Sequence, residues 1–143
     1  MTTAEVQDVD KKIRDTRLDT LSIVLMFYML FTGLGLIWIG NNIQESYTYI
    51  LMKGLMSIKV WGIIFCANAV FYLISILVEY KRWQYMFFMI AGLTGSILMG
   101  LYSIASFETS IYKIHSFRYV LFVGIHLTVF IKGVSAWRKE KLM

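Results

Sequence analysis

Few side chains in the long apolar stretches of this chain could do chemistry, and His126 is the most telling. It stands near the centre of an apolar run, where an ionisable group is a functional-site candidate by default. It could bond to Asn68, to Tyr72 or to a copy of itself across an oligomer axis, and the plainer expectation is a neutral imidazole satisfied inside a helix bundle. Haem ligation within one chain fails, because His115 falls in a loop at another depth. A haem bridged by two copies of His126 has nothing else in the sequence to support it. Asn68 lies between Ala67 and Ala69, a small polar patch that lets helices approach. A hydrogen bond shared there is worth about 0.5–2 kcal/mol, so packing is the first reading and a ligand or ion site the second. Asn68 and His126 are the intramembrane polar candidates.

The remaining chemistry is sparse. A single cysteine, Cys66, makes an intrachain disulfide or a CxxC motif impossible. No Asp or Glu occurs within the apolar runs, so a four-ligand metal site and the coupling carboxylate of an ion-driven carrier both lack their ligands. No nucleophile with a base, carboxylate pair or phosphate loop can be assembled. The expectation is a non-enzymatic protein with no catalytic residue, no cofactor and no metal.

The elements that position these residues are set by composition. With 58% hydrophobic and 16% charged residues and a mean hydropathy of +0.64, the 143-residue chain is too apolar for an ordinary soluble domain. The stretch 84–106 carries no charge and is long enough as a helix to cross a hydrocarbon core about 30 Å thick. Within it Gly92, Ser96 and Gly100 recur every fourth residue and leave one helix face nearly bare. Such a face suits close backbone approach, the main source of helix packing in lipid. It is read as a helix-packing or oligomer face, with the second span and its Gly62, Ala67 and Ala69 as the nearest intrachain partner.

Spans are expected at about 20–40, 58–78, 84–106 and 118–137, giving an all-α, polytopic integral membrane protein with a four-helix transmembrane bundle over 20–137. Asp19 is a possible cap for the first span. Residues 1–19 read as a charged helix running into that span. Asp8 with Lys12, Asp10 with Arg14 and Lys11 with Asp15 stand four apart, and Val6, Val9 and Ile13 form a short stripe. Acidic residues in the basic region and the lack of a small-x-small site speak against a secretory signal. The loop 41–57 is apolar in its second half, suited to the interface, with Tyr47 and Tyr49 at that depth. The five residues 79–83 make spans two and three antiparallel neighbours, 107–117 form a second loop, and 138–143 a basic tail.

Lys11, Lys12, Arg14, Arg17, Lys81, Arg82, Arg138, Lys139 and Lys141 fall on one side of this layout, against Lys53, Lys113 and Arg118 on the other, with Lys59 at its boundary. The positive-inside rule then places both termini in the cytoplasm. Trp38 and Trp61 serve as interface anchors on the outer side, Trp83 and Trp137 on the inner side. A net charge of +5 spread over span ends is topogenic and implies no nucleic-acid partner.

Phage holins are similar in having apolar spans and a basic tail, yet no motif makes that identification. Small multidrug exporters place a carboxylate in the first span, where this chain has Leu, Met, Phe and Gly. Two functions remain. The first is helix–helix interaction, as a membrane-complex subunit or an exclusion- or immunity-type factor that binds another membrane protein. The alternative is a homo-oligomeric channel or holin-like pore, with Asn68, His126, Thr94 and Ser96 facing a shared lumen. A small transporter ranks below both, since proline-broken helices and inverted halves are missing. The implied partners are the lipid bilayer and either itself or another membrane protein, and the implied setting is a bacterial cytoplasmic membrane, in a bacterium or its phage.

Overall fold

A computed structural model describes residues 3–40, 47–109 and 114–142, and they are almost entirely helical. The elements are α1 (Thr3–Ile39), α2 (Tyr47–Leu55), α3 (Ile58–Leu77), α4 (Lys81–Thr109) and α5 (Ile114–Leu142). Four stretches, Thr16–Trp38, Ile58–Leu77, Lys81–Phe107 and Phe117–Glu140, are long and apolar enough to cross a membrane. In that solvent an unpaired amide has no water to turn to, so these stretches close their hydrogen bonds internally as helices.

The helices overrun the expected spans at several ends. α1 passes without a break from the charged amino-terminal segment into the first span, so Asp19 is no cap; it instead accepts a hydrogen bond from Gln84 Nε2 of α4 at 3.1 Å. Lys81, Arg82 and Trp83 form the first turn of α4 instead of a loop, leaving only a short link after Leu77, where Val78 caps α3. α4 and α5 also extend into the segment read as a second loop, and α5 carries the basic tail as helix through Leu142. Propagating an existing helix costs little once its first turn is nucleated, so polar ends continue as helix beyond the apolar run. Between α1 and α3, the apolar half of the first loop forms α2. Ser57 then caps α3, its hydroxyl accepting from the Val60 amide at 3.4 Å.

Two tight pairs make up the bundle: α1 lies along α3 and α4 along α5, with a smaller α3–α4 interface and a light α1–α5 contact. Each pair closes at glycines. A Cβ on Gly33 would fall 2.7 Å from the Gly62 carbonyl oxygen and 2.6 Å from Cys66 Sγ, and one on Gly62 would fall 2.6 Å from the Gly33 carbonyl oxygen. In the second pair, a Cβ on Gly92 would lie 2.7 Å from the Phe130 amide and one on Gly133 3.1 Å from Met89 Cγ. Glycine is required at Gly33, Gly62 and Gly92 because backbone meets backbone there, whereas Gly133 faces a flexible methionine side chain; dispersion at that range holds helices where lipid supplies no hydrophobic drive.

The core falls into two clusters. One, towards α2, gathers Met29, Leu36, Met52, Ile58, Trp61, Phe65 and Met99. The other, towards the α3–α4 turn, gathers Leu18, Leu25, Tyr72, Tyr85, Phe88 and Val129. Tyr28 and Phe122 stack with ring centroids 3.9 Å apart and supply part of the α1–α5 closure.

Candidate functional site

The polar groups gather along the seam between the two helix pairs. On α3, Tyr72 follows Asn68 by four residues, so both side chains lie on one face, turned away from lipid. His126 on α5 is fully buried, and its Nδ1 lies 2.7 Å from the Tyr72 hydroxyl. The tautomer decides which of the two donates; in either, Nε2 is buried without a hydrogen-bond partner among the described residues. Gly95 on α4 makes room for the ring. A Cβ there would lie 2.6 Å from His126 Cε1 and 2.9 Å from Cγ, and closer still to Nδ1.

One turn away along α3, Asn68 bonds to Thr94 of α4. Thr94 has a single hydroxyl proton and three acceptors in reach: the Ala91 carbonyl at 3.3 Å and, nearer, the Asn68 side chain and the Ile90 carbonyl at 2.8 Å. Both nearer contacts are satisfied when the proton goes to Ile90 and Asn68 turns its Nδ2 donor towards Thr94 Oγ1. That orientation pairs the amide nitrogen and puts the amide oxygen in the buried position where Nδ2 has no partner among the described residues. Towards the α3–α4 turn, Lys81 Nζ donates to Gln84 Oε1 at 3.0 Å, and Gln84 in turn donates to Asp19. The bonds Tyr72–His126, Asn68–Thr94 and Gln84–Asp19 share a property: each joins the α1–α3 pair to the α4–α5 pair. Glycine packing closes each pair, and these hydrogen bonds, with the Tyr28–Phe122 stack, join the pairs to one another.

Placement decides what this arrangement can do. Cavities of about 380, 450, 340 and 430 Å³ lie near the bundle ends and along α5, and neither Tyr72 nor His126 lines any of them. The pair ties α3 to α5 inside the bundle, apart from those four cavities. Among the described residues no three His, Cys, Asp or Glu side chains come together as metal ligands. The side chain of His115 lies outside the described residues, as do those of Val6, Asp8, Asp10, Lys11, Arg14, Asp15, Tyr47 and Tyr49.

Of the stripe on the third span, Gly92 seats on α5, where Phe130 and the His126 carbonyl meet it, and not on α3. Gly62, expected opposite it, is occupied by Gly33. Ser96 is buried and returns its hydroxyl to the Gly92 carbonyl at 2.7 Å, while Gly100 meets nothing within 4 Å. A spacing of four on a helix of 3.6 residues per turn drifts around the axis, so the stripe leaves the interface by its third member. Gly95 was missed by sequence reading. Its signal was the Gly92–Gly95 spacing of three beside a span that carries a bulky imidazole.

The tryptophans also divide. Trp38 is 85% exposed and Trp83 is exposed, whereas Trp61 is 3% exposed and donates from Nε1 to the Met52 carbonyl at 3.0 Å. Trp61 is no lipid-facing anchor, because α2 folds over it. Trp137 is half-buried.

Helices of this length and apolarity mark the chain as an all-helical protein of the integral membrane class. No protein-family model matches it, nor does any curated protein or solved structure.

Proposed function

We propose that the chain is a non-enzymatic membrane protein that acts by helix–helix interaction, as a subunit of a membrane complex or an exclusion- or immunity-type factor bound to another membrane protein. One observation carries this reading. Gly35 on α1, Gly100 on α4 and Gly124 on α5 have nothing within 4 Å of a Cβ, although they stand beside exposed Phe31 and Trp38, Ile97 and Ile104, and Val120 and Leu121. A bare notch between bulky apolar side chains is poorly filled by lipid and well filled by another helix. The amino-terminal part of α1 adds a charged helical extension beyond the span, suited to a contact outside the membrane.

A pore would need Asn68, Thr94, Ser96 and His126 to line a shared lumen. Asn68, Ser96 and His126 are buried, Thr94 is half-buried, and all four bond within one chain, which weighs for the interaction reading.

Gly100→Leu and Gly124→Leu test the proposal, since a Cβ at either position meets nothing within 4 Å. Each variant should remain folded and lose a stoichiometric membrane partner that the wild type retains in mild detergent. A wild type that recovers only itself, or variants that keep the partner undiminished, would refute it. Collapse of the membrane potential on expression of the wild type would return the pore to first place.

A further inference from the structure

A groove of about 340 Å³ opens where the start of α4 meets the end of α5, lined by Tyr80, Arg82, Trp83, Met86 and Trp137. We infer that this groove is a binding site for one anionic phospholipid, with its phosphate on Arg82 and its acyl chain along Met86. Arg82 is the one charge among the five lining residues, so the groove combines a single cation with an otherwise amphipathic and apolar wall.

Several independent features favour that occupant. Trp83, Trp137 and Tyr80 are the side chains that settle at headgroup depth, each apolar in body and polar at its tip. A guanidinium matches phosphate oxygens through paired N–H donors and is weakly hydrated, so it exchanges water for phosphate readily. Arg82 also stands in the first turn of the 29-residue α4, whose amino-terminal dipole adds attraction for an anion. Arg138 and Lys139, near the same end of α5, line a separate groove with Phe130, Ile131 and Val134. Glu79 and Glu140 line a neighbouring cavity together with Lys81 and Arg82, and are absent from the wall formed by the two tryptophans. The site is independent of the proposed helix–helix function.

Native mass spectrometry of the full chain in detergent, with added phosphatidylglycerol or phosphatidylcholine, tests the site. One phosphatidylglycerol should survive activation that strips phosphatidylcholine. Arg82→Gln should lower that retention about fivefold to tenfold, the effect of one interfacial cation. Lys53→Gln, a cation of α2 outside the groove, should leave it unchanged. If Arg82→Gln yields no helical protein, Met86→Trp, which fills the groove from its wall, should remove the bound lipid in its place. Equal loss of both lipids from the wild type, or full retention in Arg82→Gln, would overturn the assignment. Release of the lipid by a large excess of inorganic phosphate would make the site one for a free anion and overturn it as well.

Discussion

Adding one methyl group at Gly95 tests the central packing of the bundle. In Gly95→Ala the new Cβ falls 2.6 Å from His126 Cε1, inside van der Waals contact by about an ångström. The obstacle is the edge of an imidazole that is fully buried and bonded to Tyr72, and it has no solvent to swing into. Overpacking of this kind costs about 1–3 kcal/mol. Displacing the ring also breaks the Tyr72 bond, which adds about 0.6–1.7 kcal/mol, from the average to the largest value for such bonds in a membrane bundle. The expected destabilisation is thus about 2–5 kcal/mol. His126→Ala is destabilising by itself, since it leaves a cavity and an unpartnered Tyr72 hydroxyl. In that background the alanine at 95 enters vacated space and should be neutral or slightly stabilising. Reversible unfolding in mixed micelles, titrated with sodium dodecyl sulfate and read by circular dichroism, gives all four corners of the cycle. A coupling energy of about 2 kcal/mol or more is expected, well beyond the roughly 0.3–0.5 kcal/mol scatter of independent sites. Additive behaviour of the two substitutions would refute the contact and the role of Gly95 with it.

Other substitutions probe the remaining features. Ser22 is fully buried and its hydroxyl has no partner among the described residues, so Ser22→Ala should leave stability unchanged or raise it by up to about 1–3 kcal/mol in the same titration; a clear loss would reveal a bond the fold does not account for. Trp61→Phe removes the donor that ties α3 to the Met52 carbonyl, and amides of α2 should then exchange hydrogen faster while those of α4 do not. Unchanged exchange in α2 would show that apolar packing alone holds it.

Much of the architecture was legible in the residues. Runs of about twenty apolar residues and the exclusion of Asp and Glu from them specify helices, because a continuous apolar run lacks the alternation of a barrel strand and in lipid can pair its amides only within itself. The few residues between the second and third runs make those two antiparallel. His126 and Asn68 stood out for the same reason, as polar groups in a solvent that does not tolerate them unpaired, and Tyr72 was among the partners that His126 could reach. The ends were less legible. Polar residues neither compel nor forbid a helix, so α1 runs through Asp19 and α5 runs into the basic tail where sequence alone suggested boundaries. Trp61 illustrates the same limit: its type suits an interface, and only the position of α2 above it makes it a core residue.

Partner choice is a different kind of information. A glycine announces that something approaches closely, but the same bare face fits any helix that carries a complementary one. Gly62 was compatible with the third span and is filled by Gly33 of the first; Gly92 was compatible with the second span and is filled by α5. Sequence by itself therefore determined that the chain forms membrane-spanning helices with polar groups that must be paired, since both follow from the local cost of exposing amides and side chains to lipid. Tertiary structure alone decided which helices pair, which histidine edge Gly95 admits and which glycines are left facing outward. Those outcomes depend on contacts between residues far apart in the chain, whose energies are fixed only when all the helices are in place together.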